Sequence, residues 1–121
     1  MIETVWRAGR PHAIVAYGTE AMHVLRAEKG YVIVGQETDG TVTPDDLGLG
    51  KMVGRAKKDF VGRRGLMRPD LVAPGRKQLV GLLTNDPAVL LEEGAQVTAR
   101  PDPPVGSNAL GHVTSAYRSD A

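Results

Sequence analysis

Residues 17–35 place the tightest limits on how this chain can fold. A helical pattern opens at Gly18-Thr19, stops at Gly30 and passes directly into the apolar run Tyr31-Val32-Ile33-Val34. On a helix, Ala21, Leu25 and Glu28 fall at i, i+4 and i+7, which is one face of a 3.6-residue period. Glu28 therefore stands on a stripe otherwise made of core residues. An unpaired buried charge is very costly, so a carboxylate on that stripe needs donors. Another side chain supplies them, with Arg26 and Arg63 as the internal candidates, or a ligand does.

The neighbouring stretches divide the chain. Ile2, Val5 and Trp6 share one side of a short helix over residues 1–8, ended by Gly9, and residues 13–16 read as a short strand. The central helix covers about residues 19–29, with Thr19 as N-cap, Glu20 in the first turn and Gly30 at the left-handed C′ position. Residues 31–34 lack polar alternation, which predicts a strand buried on both faces. Asp39-Gly40 is a hairpin signal, and residues 44–47 predict one helical turn closed by Gly48. Asp59 caps an expected helix over residues 60–68, stopped by Pro69.

From about Gly75 the pattern becomes strand-like. Residues 77–84, 96–100 and 110–115 are three expected strands, with prolines and glycines between them. The expected class is α+β: a ferredoxin-like α+β half over residues 1–74, then an incomplete antiparallel β-barrel half over residues 75–121. Three strands rarely bury a core alone.

Composition removes several function classes. With no cysteine, disulfides and thiolate metal sites are excluded. No apolar run approaches the roughly 20 residues of a membrane helix, and the N-terminus lacks a secretory apolar core. A cytoplasmic protein without membrane contact is the expectation. His12, His23 and His112 lie too far apart in sequence for a metal motif, and no metal site is expected. Ser107, Thr114 and Ser115 show no triad pattern, so no catalytic residue is assigned. Gly48-Leu49-Gly50-Lys51-Met52-Val53-Gly54 approaches a dinucleotide fingerprint, but its last glycine is one residue late. Lys51, Arg55, Lys57, Lys58, Arg63, Arg64, Arg68, Arg76 and Lys77 crowd one segment, although the net charge is only +1. Such a block suits phosphates, carboxylate-bearing ligands or an acidic partner. Nucleic acid is not the expected partner.

Taken together, residues 17–31 resemble the folate-binding, aminomethyltransferase-like domain of the sarcosine oxidase alpha subunit. Residues 35–40, 43–50, 58–64, 76–82 and 111–115 continue the match in the same order. The resemblance implies a tetrahydrofolate site. It assigns Glu28, in Leu25-Arg26-Ala27-Glu28, to the pterin ring, whose N3–H and 2-amino group form a planar donor pair suited to a carboxylate. It places the holder of the folate tail near Arg55 or Lys57, with Lys57 favoured, and allows Tyr31 to pack on the ligand.

The implied activity is capture of the one-carbon unit from sarcosine oxidation as 5,10-methylenetetrahydrofolate. The alternative is a non-catalytic subunit-interaction module with a degenerate folate site. Flavin and NAD are expected only on regions outside this chain or on other subunits. Expected partners are other sarcosine oxidase subunits or further copies of the chain. Lys51 departs from the family, which usually has a tryptophan there, and so removes a flat packing surface. The resemblance also implies that the upstream lobe and the strands closing the barrel after residue 119 lie outside the chain. The iron–sulfur-maintenance branch of folate-binding proteins has a cysteine where this chain has Tyr31, which argues against that branch.

Overall fold

A computed structural model describes residues 1–119. It consists of α1 (Ile2–Gly9), a 3-10 turn (Arg10–His12), α2 (Thr19–Glu28), a second 3-10 turn (Gly50–Met52), α3 (Arg63–Leu66), α4 (Pro69–Val72), β1 (Gln96–Val97) and β2 (Gly111–His112). The α+β class holds in this coarse sense. The strands β1 and β2 pair antiparallel, with Gln96 opposite His112 and Val97 opposite Gly111. Backbone bonds from Leu110 N to Val97 O (2.8 Å), Val113 N to Ala95 O (2.9 Å) and Gly94 N to Val113 O (2.8 Å) extend the pairing on both sides. No barrel forms among the described residues.

The helices follow local rules. In α1 the chain turns back so closely that a Cβ added to Gly9 would lie 2.7 Å from the Ile14 Cβ. Glycine is required there because two side chains cannot share that space. Gly18 caps α2 in an extended conformation (φ −91°, ψ 175°), and Thr19 is the first helical residue instead of the expected N-cap. The far end of α2 matches its expectation. Gly30 is left-handed at φ 74°. Its N–H donates to Ala27 O at 3.0 Å, and the Tyr31 N–H donates to Arg26 O at 2.9 Å. Those two bonds form a Schellman cap with Gly30 at C′. An added Cβ at Gly30 meets nothing within 4 Å, so only backbone strain opposes a side chain. Gly30→Ala is expected to cost about 1 kcal/mol, read as a lower thermal midpoint.

Elsewhere the expected strands and helices shrink. Residues 13–16 form no ladder, and Ala13 is left-handed at φ 53°. The run at 31–34 is not a strand buried on both faces: Tyr31 is 70% exposed and Val34 87% exposed. Its single bridge joins Val34 to Thr38. An all-apolar run is a strand only where a sheet flanks it on both sides, and none does among the described residues. Asp39-Gly40 is a turn, held by Thr41 N–H to Asp39 Oδ1 at 2.7 Å, but its two flanks do not pair with each other as a hairpin. The helix expected over 60–68 is reduced to α3, because Gly62 takes φ 92° immediately before it. Pro69 stops nothing. It opens α4 from the N1 position, which tolerates a missing N–H. Residues 77–84 are unpaired as a strand, although Leu79 N–H donates to Asp46 O at 2.7 Å.

No apolar side chain is fully buried among the described residues, and the accessible surface is 10537 Å². A compact monomer of 12.9 kDa exposes about 6,300 Å². The buried residues are polar: Glu37, Thr43 and Asp46. Ionic and hydrogen-bonded joints hold this chain together in place of an oily core.

Candidate functional site

Two polar joints position the segment that carries the expected site residues. The first is built on Arg26 of α2. Its Nη1 donates to Glu37 Oε1 at 2.8 Å and to the Tyr31 carbonyl at 3.2 Å. Its Nη2 donates to Ser115 Oγ at 2.6 Å and to Tyr117 Oη at 3.2 Å. The guanidinium carbon also lies 5.3 Å from the centre of the Tyr117 ring, within cation–π range. Glu37 completes the joint by accepting the Ile33 N–H at 2.7 Å and the Ser115 hydroxyl. The pair is enclosed, with side chains 11% and 3% exposed. Burial pushes the Glu37 carboxyl up, but the bonds from Ser115, Ile33 and Arg26 outweigh it and hold the group below its ordinary value.

The second joint fastens the turn at 43–46 to residue 76. Thr43-Pro44-Asp45-Asp46 closes reciprocally: Asp46 N–H donates to Thr43 Oγ1 at 3.3 Å, and Asp46 Oδ2 accepts Thr43 N–H at 2.8 Å. This is a capping box with aspartate in the acidic position. Arg76 grips the same carboxylate twice, Nε to Oδ1 at 3.0 Å and Nη2 to Oδ2 at 2.5 Å. Arg76 Nη2 also donates to Thr41 O at 2.7 Å and Nη1 to Asp70 O at 3.0 Å. The Arg76 fork is the main reason the Asp46 carboxyl titrates far below the usual carboxylate range.

The expected site residues sit on the surface around these joints. Glu28 ends α2 and is exposed, so it is not a buried charge on a core stripe. Its carboxylate accepts the Ser119 hydroxyl. At a helix C-terminus a carboxylate faces the negative end of the macrodipole, which raises its demand for donors. Tyr31 follows directly, with its ring exposed. Arg55 is engaged by Asp45, both side chains being more than half exposed. Lys57 is exposed and has no ion pair among the described residues. No side-chain hydrogen bond joins Glu28, Tyr31, Arg55 and Lys57 to one another among the described residues. The arrangement offers an acceptor, an aromatic face and a cation, and it offers no paired acid and base. No group of three or more metal-ligating side chains is present among the described residues, and no helix is long and apolar enough to cross a membrane.

The sequence marks Arg26 as a candidate partner for Glu28, and in the structure its partner is Glu37. Residues 26 and 28 are two apart on a helix and point about 200° apart, so they do not face each other. Ser115 lies 89 residues from Arg26, and nothing local marks it. The Asp46 joint did leave a signal, the Thr-x-x-Asp spacing of a capping box.

Residues 1–57 match the GCVT N-terminal domain, and this stretch holds Glu28, Tyr31, Arg55 and Lys57. Over its length the chain is 50% identical to the sarcosine oxidase subunit alpha of Corynebacterium sp. (strain P-1) across 123 residues, covering 98% of this chain and 12% of the relative. Identity to the sarcosine oxidase subunit alpha of Rhizobium meliloti (strain 1021) is 43% over 117 residues, covering 97% and 12%. The aminomethyltransferase of Streptomyces avermitilis is 35% identical over 125 residues, covering 97% of this chain and 32% of that enzyme. The chain thus spans 12% of the sarcosine oxidase subunits it resembles.

Proposed function

We propose that this chain is the tetrahydrofolate-binding portion of a sarcosine oxidase alpha subunit. In this reading it positions folate to accept the one-carbon unit from sarcosine oxidation as 5,10-methylenetetrahydrofolate. The observation that carries the reading is Glu28: an exposed carboxylate at a capped helix end, inside the stretch that matches the GCVT domain. A carboxylate there suits the planar N3–H and 2-amino edge of a pterin, which donates two parallel hydrogen bonds. Tyr31 offers its exposed ring to the ligand. Lys57 is the better holder of the folate tail carboxylate, because Arg55 is already drawn to Asp45.

Residues 1–74 form the folate lobe in this proposal, and residues 75–121 begin a small barrel lobe. The flavin and NAD sites belong to other regions or subunits, the partners are the remaining sarcosine oxidase subunits, and the setting is the cytoplasm. The chain's own contribution is to bind and orient, since no acid–base pair accompanies Glu28 among the described residues. A thermal-shift measurement with 5-formyltetrahydrofolate tests the reading. Saturation at a hundredfold excess over Kd is expected to stabilise the chain by about 2.7 kcal/mol. No shift at millimolar ligand overturns it.

A second reading is a subunit-interaction module whose folate site is degenerate. The exposed apolar surface favours it: Ile2, Val5 and Trp6 of α1 face Ile14 and Val15 across an open groove. Exposed apolar surface of this extent marks an interaction site. The isolated chain is therefore expected to self-associate, and sedimentation velocity would show species larger than 12.9 kDa. A sharp monomer across the micromolar range would count against an interaction role.

A further inference from the structure

We infer that Arg26 is a positioning residue for Glu28, setting the aim of the carboxylate without touching the ligand; this rests on the folate reading above. Glu28 lies on the last turn of a ten-residue helix that has no fully buried side chain of its own. Packing alone therefore does not orient that turn, and something else must. Arg26 does so in two ways.

The first is local. The Arg26 carbonyl accepts the Tyr31 N–H at 2.9 Å, and the Arg26 Nη1 donates to the Tyr31 carbonyl at 3.2 Å. Backbone and side chain of one residue thus close the loop 26–31 from both sides, with Glu28 inside it. The second is long-range. Ser115, Tyr117 and Ser119 stand at alternate positions of one segment that lies outside any helix or strand. Ser115 and Tyr117 bond to Arg26, and Ser119 donates to Glu28. Arg26 therefore docks the segment whose third hydroxyl orients the Glu28 carboxylate. The guanidinium is enclosed tightly enough that its Nε is buried without a hydrogen-bond partner. A planar fork serving four acceptors is something a lysine cannot reproduce.

The test uses the full 121-residue chain and calorimetry with two probes. One probe is 5-formyltetrahydrofolate. The other is p-aminobenzoylglutamate, which carries the tail but no pterin. Arg26→Gln and Arg26→Lys are expected to weaken 5-formyltetrahydrofolate binding about tenfold, the usual size of a coupled contact. Both leave p-aminobenzoylglutamate binding unchanged. In a Glu28→Ala background, Arg26→Gln is expected to cause no further loss, because the residue it aims is gone.

Losses that add, or equal losses for both probes, would make Arg26 merely structural and overturn the inference. Ser115→Ala removes one acceptor and keeps the fork, so it serves where Arg26→Gln fails to fold; about a threefold loss confined to the pterin probe is expected, and equal loss on both probes overturns the inference. Wild-type binding that depends on Glu28 but not on Arg26 defeats this inference alone. Absence of wild-type binding defeats the folate reading together with it.

Discussion

Glu28→Ala is expected to weaken tetrahydrofolate binding by about 10- to 100-fold, since a hydrogen bond to a charged acceptor contributes about 1.5–3 kcal/mol. The variant is expected to fold as the wild type does. Glu28 is exposed, and the hydrogen bond it accepts from the Ser119 hydroxyl lies at the surface. Removing a carboxylate from a helix C-terminus also relieves an unfavourable dipole contact, so stability should hold or rise slightly. Glu28→Gln is the sharper probe. It preserves the shape but places an NH₂ group where the pterin also presents a donor, so it should bind no better than the alanine variant. Calorimetry separates the outcomes: equal affinity for wild type and both variants would remove Glu28 from the site.

The largest stability effect is expected at Asp46. Its two oxygens accept four bonds, from the Thr43 N–H, the Thr43 hydroxyl and two nitrogens of Arg76. An asparagine has one acceptor oxygen for those four donors and leaves the Arg76 charge without its counter-ion. Breaking an enclosed pair from one side costs about 3 kcal/mol. Asp46→Asn is therefore expected to lower the urea midpoint strongly and to abolish hydrogen-exchange protection of the Thr43 amide. Asp45→Asn, which breaks the exposed pair with Arg55, should cost less than about 1 kcal/mol. Similar losses for the two variants would show that burial does not govern these joints.

Acid should act through the same groups. The Asp46 and Glu37 carboxyls both titrate below their ordinary values of 3.8 and 4.5. Each contributes stability that is fully present above those values and is lost as pH falls through the lower, folded-state values. A denaturation midpoint that is level from neutrality to about pH 5 and falls below pH 4.5 is expected for the wild type, and Asp46→Asn should flatten part of that fall.

Much of the candidate site is legible in the amino-acid sequence, because it is local. The helix at α2, its stop at Gly30 and the place of Glu28 on its last turn follow from a period, a left-handed glycine and an N-terminal acidic residue. Each of these acts within one or two turns of chain. The turns at Asp39-Gly40 and at 44–48 are readable for the same reason. The strands are not. Residues 31–34 and 77–84 have strand composition, yet a strand exists only when a neighbour supplies a ladder of hydrogen bonds, and among the described residues these runs form toward one only the isolated Val34–Thr38 bridge and the lone bond from Leu79 N–H to Asp46 O. Among the described residues only 96–97 and 111–112 pair as strands.

What the sequence alone determined, then, is where helices cap and turns close, and that a carboxylate stands at the end of α2. Tertiary structure decided whether that carboxylate is buried and what holds it in place. Glu28 emerged on the surface, and the charge enclosed in its stead is Glu37, paired with Arg26 and tied to Ser115 and Tyr117. The physical reason is range: a cap depends on bonds a few residues apart, whereas the partner of an enclosed charge is chosen by which distant segment folds against it.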